Sequence, residues 1–148
     1  MTIVQQPWRG LTVARKAAFV FGDLTDETAD PLIDVPAGAI VVGGGLYIST
    51  AWNSATTDVM DIGDGGDADR YTVAAIDATA ADYTPLDLTG YEYTAADTID
   101  VTWNGEGTAP SAGVGVLVVQ YVIADESVDF AAMLSVNSWG GSRRAPNV

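Results

Sequence analysis

The chain contains no cysteine and no histidine, and its one lysine is Lys16. Without thiols there can be no disulfide, thiolate metal site or cysteine nucleophile. Without imidazole, the usual base of catalytic triads is missing, as are the commonest zinc ligand and the one side chain that ordinarily titrates near neutral pH. Phosphate cradles are missing as well: "GGGLYIST" and "GVGVLV" lack the G-x-G-x-x-G spacing, and no lysine completes a Walker loop. No apolar run approaches the roughly 20 residues of a bilayer-spanning helix, so no membrane association is expected. The opening stretch "MTIVQQPWRGLTVARKAAFVFGD" has no basic start leading into an unbroken apolar run, so no signal peptide is expected either.

What is present is enough apolar material for one core: 48% of the 148 residues are hydrophobic. The formal charge of −14 is unevenly spread. Every Asp and Glu lies between Asp23 and Asp129, while Arg9, Arg15, Lys16, Arg143 and Arg144 fall outside that span and only Arg70 falls within it. So acidic a body opposes nucleic-acid binding, which needs concentrated Lys and Arg at the phosphates. Its basic ends are suited to an acidic protein surface, or else are simply solvated.

Strand signals dominate. In "TIDVTW", Ile99, Val101 and Trp103 alternate with Thr98, Asp100 and Thr102, the period-2 pattern of a sheet with one wet face. "VGVLVVQYVI", Val114 to Ile123, is apolar on both faces, as expected of a strand covered on each side by core or by another subunit. Its Val116, Val118 and Tyr121 are therefore candidate interface residues. "AIVVGGGLYISTAW" reads as a long strand bulged at its glycines, and "LTVARKAAFVF" as a strand by its Val and Phe content. Turns are expected at "VPAG", "GDGG", "LTG", "NGEG" and "PSAG". The long small-residue stretch from Ala74 to Asp97 is expected to be a surface loop with at most one short edge strand. The pattern predicts an all-β chain, a β-sandwich or jelly roll over residues 10–125. A terminal arm (1–9) and a C-terminal segment (126–148) flank it, and "DESVDFAAMLSV" has helical spacing.

The densest cluster of chemistry-bearing residues is "DIGDGGDADRY", with Asp61, Asp64, Asp67 and Asp69. An EF-hand starting at Asp61 needs oxygen ligands at its third and fifth positions and Glu at its twelfth, where this chain has Gly63, Gly65 and Thr72. A calcium site of another kind is the weaker alternative to a turn in which Asp and Gly bond locally and Arg70 pairs with one carboxylate. Paired carboxylates could hydrolyse a glycosidic bond, but with twenty acids coincidental pairs are easy. Trp52 and Trp103 read as core. Trp8 and Trp139 stand beside arginines, in "PWRG" and "SWGGSRR", a pairing enriched at interface hot spots.

Three stretches, "PAGAIVVGGGLYISTAWNSATTDVMDIGD", "DADRY" and "DTIDVTWNGEGTAPSAGVGVLVVQYV", resemble segments of small virion proteins of tailed bacteriophages, over roughly residues 36 to 123. The resemblance implies a capsid decoration, or cement, protein. Such a protein is a β-sandwich module with no enzymatic activity and no cofactor, assembled in the host cytoplasm and bound to the major capsid protein on the outer shell, commonly as a homotrimer. Some similar proteins are head fibres or carbohydrate-binding appendages, which is the alternative. The terminal segments, with Trp8, Arg9, Arg15, Lys16, Trp139, Arg143 and Arg144, are the expected capsid contacts.

Overall fold

The computed structural model describes residues 12–123. Trp8, Arg9, Trp139, Arg143, Arg144 and the stretch with helical spacing lie outside them.

Eight strands form the body: β1 (Val13–Val20), β2 (Ala29–Val35), β3 (Ala39–Thr50), β4 (Thr57–Asp64), β5 (Ile76–Asp77), β6 (Tyr83–Pro85), β7 (Asp97–Glu106) and β8 (Val114–Ile123), with one short 3-10 turn at Phe21–Asp23. They make two four-stranded antiparallel sheets, β1-β8-β3-β6 and β2-β7-β4-β5. The pairs β1/β8, β2/β7, β3/β6 and β4/β5 are all hydrogen-bonded neighbours. This is the order produced when one long hairpin, closing between β4 and β5, is rolled into two layers. The sandwich is thus a jelly roll, as the strand pattern led one to expect.

Period-2 alternation decides what each sheet buries. Phe19, Leu46, Ile48, Leu117, Val119 and Tyr121 point inward from the first sheet, and Ile33, Val35, Met60, Ile62, Ile99, Val101 and Trp103 from the second. Tyr121, expected at an interface, is therefore a core residue. It stands an odd number of positions from Val116 and Val118, and in a strand that means the other face.

Two strands went unread in the sequence. β2 contains Pro31 beside a register shift, and β4 carries aspartates at positions facing the core, so neither shows clean alternation. Asp61 and Asp64 consequently belong to β4, and the turn begins only after them. The stretch from Ala74 to Asp97 supplies both β5 and β6, one more short strand than expected.

The glycine run in β3 builds a bulge. Register against β8 slips between Val41 and Gly43, and Gly44 takes φ +125°. A Cβ at Gly44 would collide with the Val118 backbone carbonyl, which the sheet holds in place. Gly44→Ala is expected to cost on the order of 2 kcal/mol by combining strain with overpacking, read as a lowered urea midpoint. Gly22→Ala, where the new methyl meets open space, should stay within about 0.5 kcal/mol of the parent.

Candidate functional site

The two outer faces of the sandwich differ in kind. Among the described residues, every Asp or Glu that lies in a strand lies in the second sheet, and that sheet's strands hold no Lys or Arg. The first sheet's strands hold no acid, and their only charged residues are Arg15 and Lys16, both on β1.

On the outer face of the first sheet the cross-strand register aligns Val20 with Val114, Ala18 with Val116 and Lys16 with Val118. On the other side of β8, Tyr47 aligns with Val116 and Ile40 with Val122. Tyr83 of β6 lies over Gly45, where any side chain would meet its ring, and its hydroxyl donates to the Gly44 carbonyl at 3.2 Å. Val20, Val42, Tyr47 and Tyr83 are between 41% and 52% exposed, a level of apolar exposure concentrated on one side of the molecule. A contiguous apolar face of this kind is the usual mark of a protein contact. Arg15 and Lys16 sit on the open edge of β1, where cations also deter edge-to-edge pairing of sheets.

The outer face of the second sheet is polar. Asp34 aligns with Thr98, Asp61 with Thr102, and Asp100 with Gly63 and Pro31. Asp100 is buried, and its carboxyl lies above the usual range because burial disfavours the charge and Asp97, Asp64 and Asp30 are near, although the Thr98 hydroxyl donates to it at 2.6 Å.

The aspartate run is divided by the fold. Asp61 faces outward, while Asp64 turns in and anchors the following loop. Its Oδ1 accepts the Gly66 and Asp67 backbone N–H groups at 2.9 and 3.0 Å, and its Oδ2 accepts the Tyr93 hydroxyl at 3.0 Å. Arg70 donates to both oxygens, with Nη2 to Oδ1 at 3.2 Å. Tyr71 donates to the Tyr93 hydroxyl at 2.9 Å, and the Arg70 guanidinium lies 3.6 Å from the Tyr91 ring centroid. Tyr91 in turn packs edge-on against Tyr93. Burial alone would raise the Asp64 carboxyl, but the Arg70, Gly66 and Tyr93 hydrogen bonds outweigh it and hold it below the usual range. Burial, with Tyr71 and Asp64 alongside, pushes the Tyr93 phenol far up and keeps it a donor. Asp69 is raised by its hydrogen bond and proximity to Asp67. Both oxygens of Asp64 are thus occupied by protein donors, and among the described residues no three acidic side chains gather in a way that could hold a metal ion.

Other candidate sites fare differently. Trp52 and Trp103 are buried, Trp103 donating to the buried Asp58 at 3.0 Å, so neither offers a ring face to a sugar. A cleft of about 420 Å³ beside Phe21, Leu24, Trp103 and Pro110 contains one acid, Asp26, whose Oδ1 is taken by the Gly105 N–H at 2.9 Å. Of the expected interface residues, the fold gathers Lys16, Val116 and Val118 on one face. Exposed Val20, Tyr47 and Tyr83, which join them there, were missed because strands remote in sequence bring them together.

No family model and no curated protein matches the chain. Solved structures do. A chain in the cyanophage Pam1 capsid asymmetric unit superposes with a TM-score of 0.62 at 21% identity, covering 83% of this chain and 92% of that one. A chain in the acidic stable capsid structure of the Helicobacter pylori bacteriophage KHP30 gives 0.60 at 20% identity, covering 79% and 91%. The shared property is the fold. Because coverage is high in both directions, these neighbours are single modules of about this size.

The Asp64 network and Asp100 make opposite pH predictions. The depressed pKa of Asp64 means that its contribution is present above the unfolded carboxylate range and is lost as pH falls through the lowered value. Arg70→Met is expected to cost about 3 kcal/mol at neutral pH and to move acid unfolding, followed by circular dichroism, to higher pH. For Asp100 the raised pKa means that the fold disfavours the ionised form. Asp100→Asn should therefore raise the melting temperature at pH 7, and the gain should disappear below the carboxylate range, where Asp100 is itself neutral.

Proposed function

We propose that this chain is a non-enzymatic structural virion protein of a tailed bacteriophage that binds the outer surface of the capsid shell and stabilises it. The observation that carries the reading is the jelly roll shared, nearly end to end, with similarly small chains in two phage capsid structures. Mutual coverage favours a separate accessory module over a domain excised from a larger shell protein.

The unlike faces supply an orientation. The apolar, acid-free side of the first sheet turns toward protein, and the acidic side of the second sheet turns to solvent. β1 and β8 end beside each other, at Val13 and Tyr121, so the segments bearing Trp8, Arg9, Trp139, Arg143 and Arg144 both depart from that first sheet. Those residues, with Arg15 and Lys16, are proposed to grip acidic surface of the major capsid protein, aromatic anchors adding to salt-screened charge pairs. Assembly as a homotrimer belongs to the same proposal, the exposed margin of Val42, Tyr47 and Tyr83 being the contact between copies. A protein that binds only the assembled shell stabilises it by mass action, with no chemistry required.

Purified virions encoding the chain are expected to contain it in near-stoichiometric ratio to the major capsid protein, and amine-reactive or carboxyl-reactive reagents applied to intact particles should modify Asp34 and Asp61. Absence of the chain from virions, or protection of those aspartates on the particle, would contradict the proposal.

A further inference from the structure

The apolar outer face of the first sheet needs a cover, and the chain itself contains one. β8 is flanked by β1 and β3, and it ends at Ile123 beside Val122 and Ile40 on that face. The residues that follow, "ADESVDFAAMLSV", include the apolar Val128, Phe130, Met133 and Leu134 and the acids Asp125, Glu126 and Asp129. Left in water, both that segment and the Val114–Val116–Val118–Val122 row would expose contiguous apolar surface.

We propose that residues 124–136 of each chain turn back over the outer face of the first sheet and cover its β1–β8 half. Three considerations select this occupant. Reach is ample, since a return along β8 takes about 3.3 Å per residue and β8 has ten residues, fewer than the segment offers. Charge agrees: Lys16 stands on the covered half next to Val118, the strands of that sheet hold no acid, and the opposite face, with Asp34, Asp61 and Asp100, repels an acidic segment. Tethering also favours the chain's own segment, because a directly connected segment has an effective concentration in the millimolar range, above that of a second copy in dilute solution. The β3–β6 margin, with Tyr47 and Tyr83, stays open. This arrangement holds whether or not the chain sits on a capsid.

Because the chain has no cysteine, a single introduced thiol reports on the cover. Ala18→Cys places one on the outer face at an exposed edge-strand position, a change small enough to leave the sandwich intact. In the full-length protein this thiol is expected to react slowly with a maleimide, at a rate independent of protein concentration. Adding Phe130→Ser, Met133→Ser and Leu134→Ser together should speed labelling by about tenfold or more, since opening the cover then costs less. These three residues lie outside the sandwich, so unchanged circular dichroism is expected alongside. Fast labelling in the parent, or a rate the triple substitution does not change, overturns the proposal. Protection that grows with protein concentration overturns it too, by assigning the face to a second copy. None of these outcomes bears on whether virions contain the chain, so the two proposals fail separately.

Discussion

Pairing of β8 with β1 on one side and β3 on the other is the constraint on which the rest of the molecule depends. Closing that central strand between the N-terminal strand and the longest one fixes the first sheet, and the rolled hairpin then leaves β2, β7, β4 and β5 to form the layer opposite. The alternation of β8 sends Leu117, Val119 and Tyr121 into the core and presents Val114, Val116 and Val118 outside. One strand thus holds the core and the interaction face on its two sides. The Gly44 bulge serves the same pairing, letting β3 follow β8 with no side chain in the way.

Jelly-roll topology also explains how charge is sorted. Strands successive in the chain mostly enter opposite sheets, so β1, β3 and β8, which lack acids, collect in one layer and β2, β4 and β7, which carry them, in the other. Along the sequence these strands are interleaved and the acids form one broad block. Only rolling the hairpin turns that interleaving into one acidic face and one apolar face. A net charge of −14 then leaves the first sheet as the side on which another protein surface meets least repulsion.

Where the sequence and the fold diverged, the cause was a non-local partner. β4 was not legible because Asp58 and Asp64 face inward, where a carboxylate is normally excluded. They are tolerated there because Trp103 and Ser54 donate to Asp58, and Arg70, Tyr93 and loop N–H groups donate to Asp64. The pairing of Arg70 with a carboxylate was readable as local turn chemistry, whereas the tyrosines that complete the cluster come from more than twenty residues away. Tyr121 was misplaced because a strand apolar on both faces gives no polar residues by which to tell in from out.

The sequence by itself determined that the chain is all-β, that the body forms one sandwich, that thiol and imidazole chemistry are excluded, and that β7 buries Ile99, Val101 and Trp103. These follow from inventory and from period-2 alternation, which are local. Tertiary structure alone decided which strands share a sheet, and therefore that Val20, Tyr47, Tyr83 and Val116 form one surface and that the strand acids form another. The physical reason is that a strand's own pattern fixes which residues share its face, while its neighbours are chosen by backbone hydrogen bonds between segments as distant as β1 and β8.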